Sequence, residues 1–176
     1  MDLITKIKNT VRDVPDFPKE GILFKDITPI FQDAQLSREI INHLKDYYAS
    51  TKIDAIAGIE SRGFLFGFAL AQALDVPFVL IRKKGKLPYE KASVSYDLEY
   101  GSAEIEMHTD AFEPGANILI HDDLLATGGS ANACAELIKQ QKGNVVGFNF
   151  LIGLSFLNGN EALKKHSDNI YNLVSY

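Results

Sequence analysis

Ile118-Leu119-Ile120-His121-Asp122-Asp123-Leu124-Leu125-Ala126-Thr127-Gly128-Gly129-Ser130 decides how this chain folds. Its first half reads as a buried strand of apolar residues with one His. Two adjacent carboxylates stand where that strand ends, with Asp123 expected to be partly exposed. A short loop of Thr, Gly and Ser then opens a helix, expected over 131–142. In open α/β sheets, ligands gather at the carboxyl ends of the strands. A loop of small residues running into a helix exposes backbone N–H groups that suit a phosphate. The acids would repel that phosphate, so they face something else. Ionised carboxylates accept hydrogen bonds from hydroxyls, and a sugar diol supplies those. A sugar phosphate fits both halves of the stretch. His121 reads as packing in or near the core rather than as a reacting group.

Working outward, short buried strands are expected over 53–58, 77–82, 145–152 and 169–174, with a helix over 64–74. Residues 92–108 alternate weakly and suggest an antiparallel hairpin. Toward the N-terminus, Leu3, Ile4, Ile7 and Val11 have helical spacing. Residues 14–29 read as Pro-bounded and irregular, and 37–50 as a helix with Ser37 as N-cap. Strands alternating with helices imply an α/β fold, a doubly wound, mostly parallel sheet flanked by helices with right-handed crossovers.

A chain of 176 residues is long enough for one domain with a real core. No apolar run reaches the ~18 residues that a membrane span needs, and the first residues lack a signal-peptide layout. Cys134 is the single Cys, which excludes an intrachain disulfide and fits a reducing cytoplasm. His43, His108, His121 and His166 show no metal-ligand spacing. A net charge of −5 argues against a nucleic-acid binder.

Two further segments each carry two readings. Gly58-Ile59-Glu60-Ser61-Arg62-Gly63 follows the first sheet strand and opens a helix. It is an ordinary turn with an exposed Arg, or an anion turn in which backbone N–H groups and Arg62 face a pyrophosphate. It is not a nucleotide-triphosphate P-loop, because the Gly-Lys-Ser/Thr ending is missing. Arg82-Lys83-Lys84-Gly85-Lys86 is a basic cluster in an acidic protein. It is a solvated loop or a second part of an anion site.

The 118–130 stretch resembles the PRPP (5-phosphoribosyl 1-pyrophosphate) motif of type I phosphoribosyltransferases. That pattern is an apolar strand, two acids, two variable residues, then small residue, Thr, Gly, Gly, Thr or Ser. His121 stands where an aliphatic residue is usual, and Ser130 replaces the commoner Thr. The resemblance sharpens toward the adenine phosphoribosyltransferase family. Residues 15–18 and 21–29 resemble its purine-capping hood, and 57–67 its pyrophosphate turn. Residues 81–88 resemble the entry to its flexible flap, and 96–101 the flap tip. Lys25 departs from the Arg expected in the hood.

The resemblance implies the type I phosphoribosyltransferase fold in one domain, 1–176, with an N-terminal hood over 1–30 and a hairpin flap over 83–108. It implies purine salvage: adenine and PRPP giving AMP and pyrophosphate, with Mg²⁺ held mainly by PRPP and water and no direct protein ligand. Asp122 and Asp123 would hold the ribose hydroxyls, with Asp123 also stabilising positive charge on the ring. Ala126, Thr127, Gly128, Gly129 and Ser130 would hold the 5′-phosphate. Ser61, Arg62, Arg82, Lys83 and Lys86 would meet the pyrophosphate, and the turn would carry a cis peptide near Glu60–Ser61. Leu23, Phe24, Lys25 and Leu124 would bind adenine, although Phe24 and Leu124 read equally well as plain core. Glu99 at the flap tip would be the general acid/base. The family is a cytoplasmic homodimer, in which Arg82 or Lys83 could serve the neighbouring subunit's site, with no nucleic-acid or membrane partner. Enzymes of 6-oxopurines resemble one another in a Lys near the end of the strand after the PRPP helix. Residues 149–154 hold no Lys. A 6-oxopurine or pyrimidine enzyme, or a PRPP-sensing regulator, are the alternatives.

Overall fold

The computed structural model describes residues 1–97 and 102–176. They form two compact units, residues 1–48 and 49–176.

The first unit starts with α1 (Leu3–Thr10), capped by Asp2, whose carboxylate accepts from the Thr5 N–H. Residues 14–29 are irregular chiefly between two short strands, over 16–22. β1 (Arg12–Pro15) and β2 (Leu23–Asp26) pair antiparallel, with Asp13 opposite Lys25 and Val14 opposite Phe24. Both strands are four residues long, too short to show a period. α2 (Thr28–Gln32) and α3 (Ala34–Tyr48) follow. Ser37 is not the N-cap of α3. Asp33 takes that place, its Oδ1 accepting from the N–H groups of Gln35 and Leu36 at 3.0 and 2.9 Å. Ser37 Oγ donates to the Ile30 carbonyl.

The second unit is built on β3 (Ala55–Ile59), β4 (Phe78–Lys83), β5 (Lys91–Asp97), β6 (Ser102–His108), β7 (Asn117–Leu125), β8 (Asn144–Gly153) and β9 (Ile170–Ser175). Their order across one sheet is β5-β6-β4-β3-β7-β8-β9. β4, β3, β7, β8 and β9 run parallel, while β6 pairs antiparallel with β4 and β5. The crossovers carry α4 (Gly63–Leu74), α5 (Gly129–Gln140) and α6 (Gly159–Leu163). This is the type I phosphoribosyltransferase fold expected from the sequence. All five residues of β3 are buried, as befits a strand covered on both faces. α5 starts two residues earlier than expected, because Gly128 at φ +87° turns the chain directly into it.

His121 is fully buried, as expected. Its Nδ1–H donates to Asn149 Oδ1 at 2.6 Å, joining β7 to β8 beneath the two acids. Burial pulls its pKa from 6.5 to about 4. A base with a lowered folded pKa stabilises fully above 6.5, and that stability is lost as pH falls toward 4. The difference converts to about 3 kcal/mol. Unfolding titrations of the parent between pH 6.5 and 4 should show this loss, and H121V should not. Parallel pH dependence in both proteins would refute the assignment.

Candidate active site

The parallel strands bring the described candidates on β3, β4, β7 and the turns that follow them to one end of the sheet. β7 does not stop at the acids. It runs on to Leu125, because β8 continues beside it, pairing Leu124 with Ile152 and Leu125 with Gly153. Asp123 is therefore not partly exposed: it keeps 5 % of its surface. Its carboxylate meets Arg62 Nε at 2.6 Å.

Asp122 is half-buried, and its Oδ1 accepts from the Asp123 N–H at 2.8 Å. Burial first, and then the charge of Asp123, raise its pKa well above the ordinary 3.8. A raised acid pKa costs stability. As pH climbs from 3.8 through the folded value, the unfolded chain releases a proton that the folded chain retains. Asp122→Asn keeps the Oδ1 acceptor and removes that cost. Its thermal midpoint should exceed the parent's at pH 7–8, with the gap closing toward pH 3.5. A midpoint at or below the parent's at pH 8 would overturn the argument.

The pyrophosphate-turn candidates sit directly beside the acids. The Glu60–Ser61 bond is cis, as the resemblance implied. Ser61 and Arg62 are exposed. Gly63 starts α4 against β7, where a Cβ would lie 2.8 Å from Asp122 Oδ1 and 3.0 Å from the His121 carbonyl. Any larger residue would push the turn away from the acids.

Sequence reading gave Glu60 no role, yet it organises the basic cluster. Its carboxylate accepts from Arg82 Nε at 3.2 Å and from the Lys83 N–H at 2.9 Å. Those contacts hold its pKa low against the opposing effect of burial. Arg82 Nη1 also donates to the Lys86 carbonyl at 3.3 Å. Lys83 and Lys86 are exposed.

The loop from Ala126 to Ser130 borders a cavity of about 290 Å³ together with Asp122, Leu124, Tyr96 and Phe150. The 126–130 candidates, Asp122 and Leu124 thus share one concavity. Gly128 is required twice over, by its φ of +87° and because a Cβ there would stand 3.0 Å from the Gly159 carbonyl of α6.

Tyr96 and Phe150 are the lining residues that sequence reading left without a role. A signal for Tyr96 existed: Ala92, Val94 and Tyr96 alternate along β5 and pack on the core.

Leu23, Phe24 and Lys25 lie on β2 in the first unit. Phe24 meets Phe17 edge to face, with centroids 5.1 Å apart. Lys25 Nζ donates to Asp13 Oδ1 at 2.5 Å, across the hairpin. Glu99 lies outside the described residues. Among the described residues, no group of three or more His, Cys, Asp or Glu could hold a metal ion, and no helix is long and apolar enough to cross a membrane.

Residues 25–175 match the phosphoribosyl transferase domain family. The chain is 49% identical to the adenine phosphoribosyltransferase of Cytophaga hutchinsonii over 170 residues, covering 97% of this chain and 94% of that one. It is similar to the crystal structure of adenine phosphoribosyltransferase from Thermoanaerobacter pseudethanolicus, with a TM-score of 0.94 and 45% identity over 98% of this chain and 99% of that one. It is also similar to the Saccharomyces cerevisiae enzyme complexed with adenine and an imino-altritol bisphosphate, with a TM-score of 0.91 and 43% identity over 97% and 98% of the two chains. Asp122 and the glycine loop share a cavity at a strand end, and the likeness extends over nearly the whole length. The chain belongs to the adenine phosphoribosyltransferase family.

Proposed function

We infer that the protein transfers the 5-phosphoribosyl group from PRPP to adenine, giving AMP and pyrophosphate in purine salvage. The observation that carries this is the cavity that joins Asp122 to the 126–130 loop, in a chain whose relatives bear that activity in their names. Mixing the protein with PRPP, Mg²⁺ and adenine should release pyrophosphate in step with AMP. No release with adenine, but release with another base, would overturn the reading.

In the reaction a purine ring nitrogen bonds to the anomeric carbon while the bond from that carbon to pyrophosphate breaks. The ring nitrogen's proton must leave. The ribose becomes oxocarbenium-like, so catalysis is positioning and charge stabilisation. We assign the 5′-phosphate to residues 126–130 and the ribose hydroxyls to Asp122 and Asp123. Arg62 is nearly half exposed, so it can turn from Asp123 to an arriving pyrophosphate without a large desolvation cost. That exchange frees the Asp123 carboxylate for the ribose. Ser61, Arg82, Lys83 and Lys86 are the other pyrophosphate candidates.

When bound, Mg²⁺ would supply positive charge against the leaving pyrophosphate. The donors present fit an ion that would arrive with PRPP and be held by its oxygens and water, because Asp122 resists ionisation and Asp123, once Arg62 has turned away, is assigned to the ribose. Leu23, Phe24, Lys25 and Leu124 are assigned to adenine. The Lys25 side chain is engaged by Asp13, which favours recognition of the base through the main chain there. Glu99 is assigned as the general acid/base, at the tip of a flap over 83–108.

A homodimer is part of the same proposal. Leu65, Phe68 and Leu80 are 52 %, 54 % and 42 % exposed, around Phe64 and Phe78. A contiguous apolar face of this kind marks an interaction surface. A second copy is the occupant we propose, because a contiguous hydrophobic patch suits the isologous interface of the homodimer that the family resemblance implies. Sedimentation should give a dimer for the parent and a monomer for F68E. An unchanged dimer in F68E would place the interface elsewhere. The single Cys, Cys134, is buried and free, in keeping with a cytoplasmic location.

A further inference from the structure

We propose that Tyr96 is a positioning residue for the 5′-phosphate loop. Its hydroxyl holds the Ser130 side chain in the rotamer from which Ser130 can donate to phosphate. This deepens the reading of residues 126–130 as the phosphate loop and rests on it.

The Tyr96 hydroxyl lies 3.1 Å from Ser130 Oγ. The Tyr96 ring lies 3.7 Å from the position that a Cβ on Gly129 would take, so the phenol stands directly over the glycine turn. β5 fixes that placement, since Val94 is buried and Ala92 and Tyr96 pack against the same core.

Ser130 needs such a partner because it is not Thr. A Thr here would have its χ1 restricted by the β-methyl. Ser has three staggered wells and nothing on Cβ to choose between them. A phosphate oxygen only accepts, so Ser130 must donate its own proton to bind it. With Tyr96 donating to Ser130 Oγ, the Ser proton is left for the ligand. The two bonds then run in one direction and reinforce each other. Tyr96 need not touch the phosphate to do this.

The test is a double-mutant cycle of Y96F and S130T, read as the Kd for ribose 5-phosphate, which carries the 5′-phosphate without the pyrophosphate. Y96F keeps the ring over Gly129 and loses only the hydroxyl. It should weaken ribose 5-phosphate by about fivefold, the worth of one hydrogen bond, and raise the KM for PRPP alike. The kcat at saturating PRPP should change little. In the S130T background the same Y96F change should have almost no effect, because the β-methyl supplies the missing restraint. A merely structural Tyr96 would lower kcat and thermal stability in both backgrounds. Equal weakening in both backgrounds, or none in the parent, overturns the proposal. T127A separates this from the phosphate reading. It removes another hydroxyl of the loop and should weaken ribose 5-phosphate whether or not Tyr96 is present. Undiminished binding by T127A would overturn the phosphate reading and the role of Tyr96 with it, a result that no outcome of the cycle can imitate.

Discussion

Hypoxanthine should be turned over with a kcat/KM roughly 10⁴–10⁵ below that for adenine. The adenine edge offers an amino donor beside a ring-nitrogen acceptor. A 6-oxopurine reverses both, setting carbonyl against carbonyl and N–H against N–H. A desolvated site that makes the first pair of bonds leaves the second pair unmet, and unpaired buried polar groups cost more than a made bond gains. The strand that carries a Lys in 6-oxopurine enzymes is β8 here. Its end reads Asn149-Phe150-Leu151-Ile152, all buried to within 1 %. The polar member, Asn149, holds His121, and this stretch has no ammonium to meet an oxo group. Competition kinetics with the two bases would check the ratio. Comparable kcat/KM values would remove the adenine assignment and leave the broader phosphoribosyl transfer.

The parts of the site legible in the sequence are those that lie close together in the chain. Residues 118–130 carry a strand, its acids, the loop and the helix start in thirteen consecutive positions, so their order alone implied the cavity. The length of β7 was not legible. How far a strand runs depends on its neighbour, and β8 supplies partners as far as Leu125. The burial of Asp123 follows from the same extension and from Arg62 folding over it. Asp33 was passed over as the cap of α3 because Ser37 is an equally good cap residue, and only the start of the helix separates them. The hood hairpin hid behind Pro15 and Pro18. The pairings of Glu60 and Tyr96 were hidden for a different reason, although the alternation along β5 marked Tyr96 as core-facing. Their partners lie 22 and 34 residues away, and a pairing over such a distance leaves no local pattern.

Glu99→Gln should lower kcat by roughly 10²–10⁴-fold, the usual contribution of a positioned acid or base. Transfer to adenine requires a proton to leave the ring nitrogen as the new bond forms, and the reverse reaction requires its return. The acids at the strand end are poor candidates for that exchange. Both are assigned to the ribose, Asp123 once Arg62 has turned to the pyrophosphate. The carboxylates against the basic cluster are occupied: Glu60 by Arg82 and the Lys83 N–H, Glu104 by Lys84, and Glu106 by the Gly85 N–H. The resemblance of residues 96–101 to the family's flap tip is what assigns the exchange to Glu99, which lies in the sequence between β5, ending at Asp97, and β6, starting at Ser102. Gln matches Glu in size and hydrogen-bonding reach but cannot take up the proton, so E99Q isolates the chemistry. The KM for PRPP should hold, because the ribose, phosphate and pyrophosphate groups are all assigned to other residues. In a pH–rate profile the parent's kcat should show the limb of a carboxyl group, and E99Q should lack it. Single-turnover rates measured after PRPP is bound would distinguish lost chemistry from slowed product release. If E99Q and the parent form AMP at the same rate, the proton goes to another group.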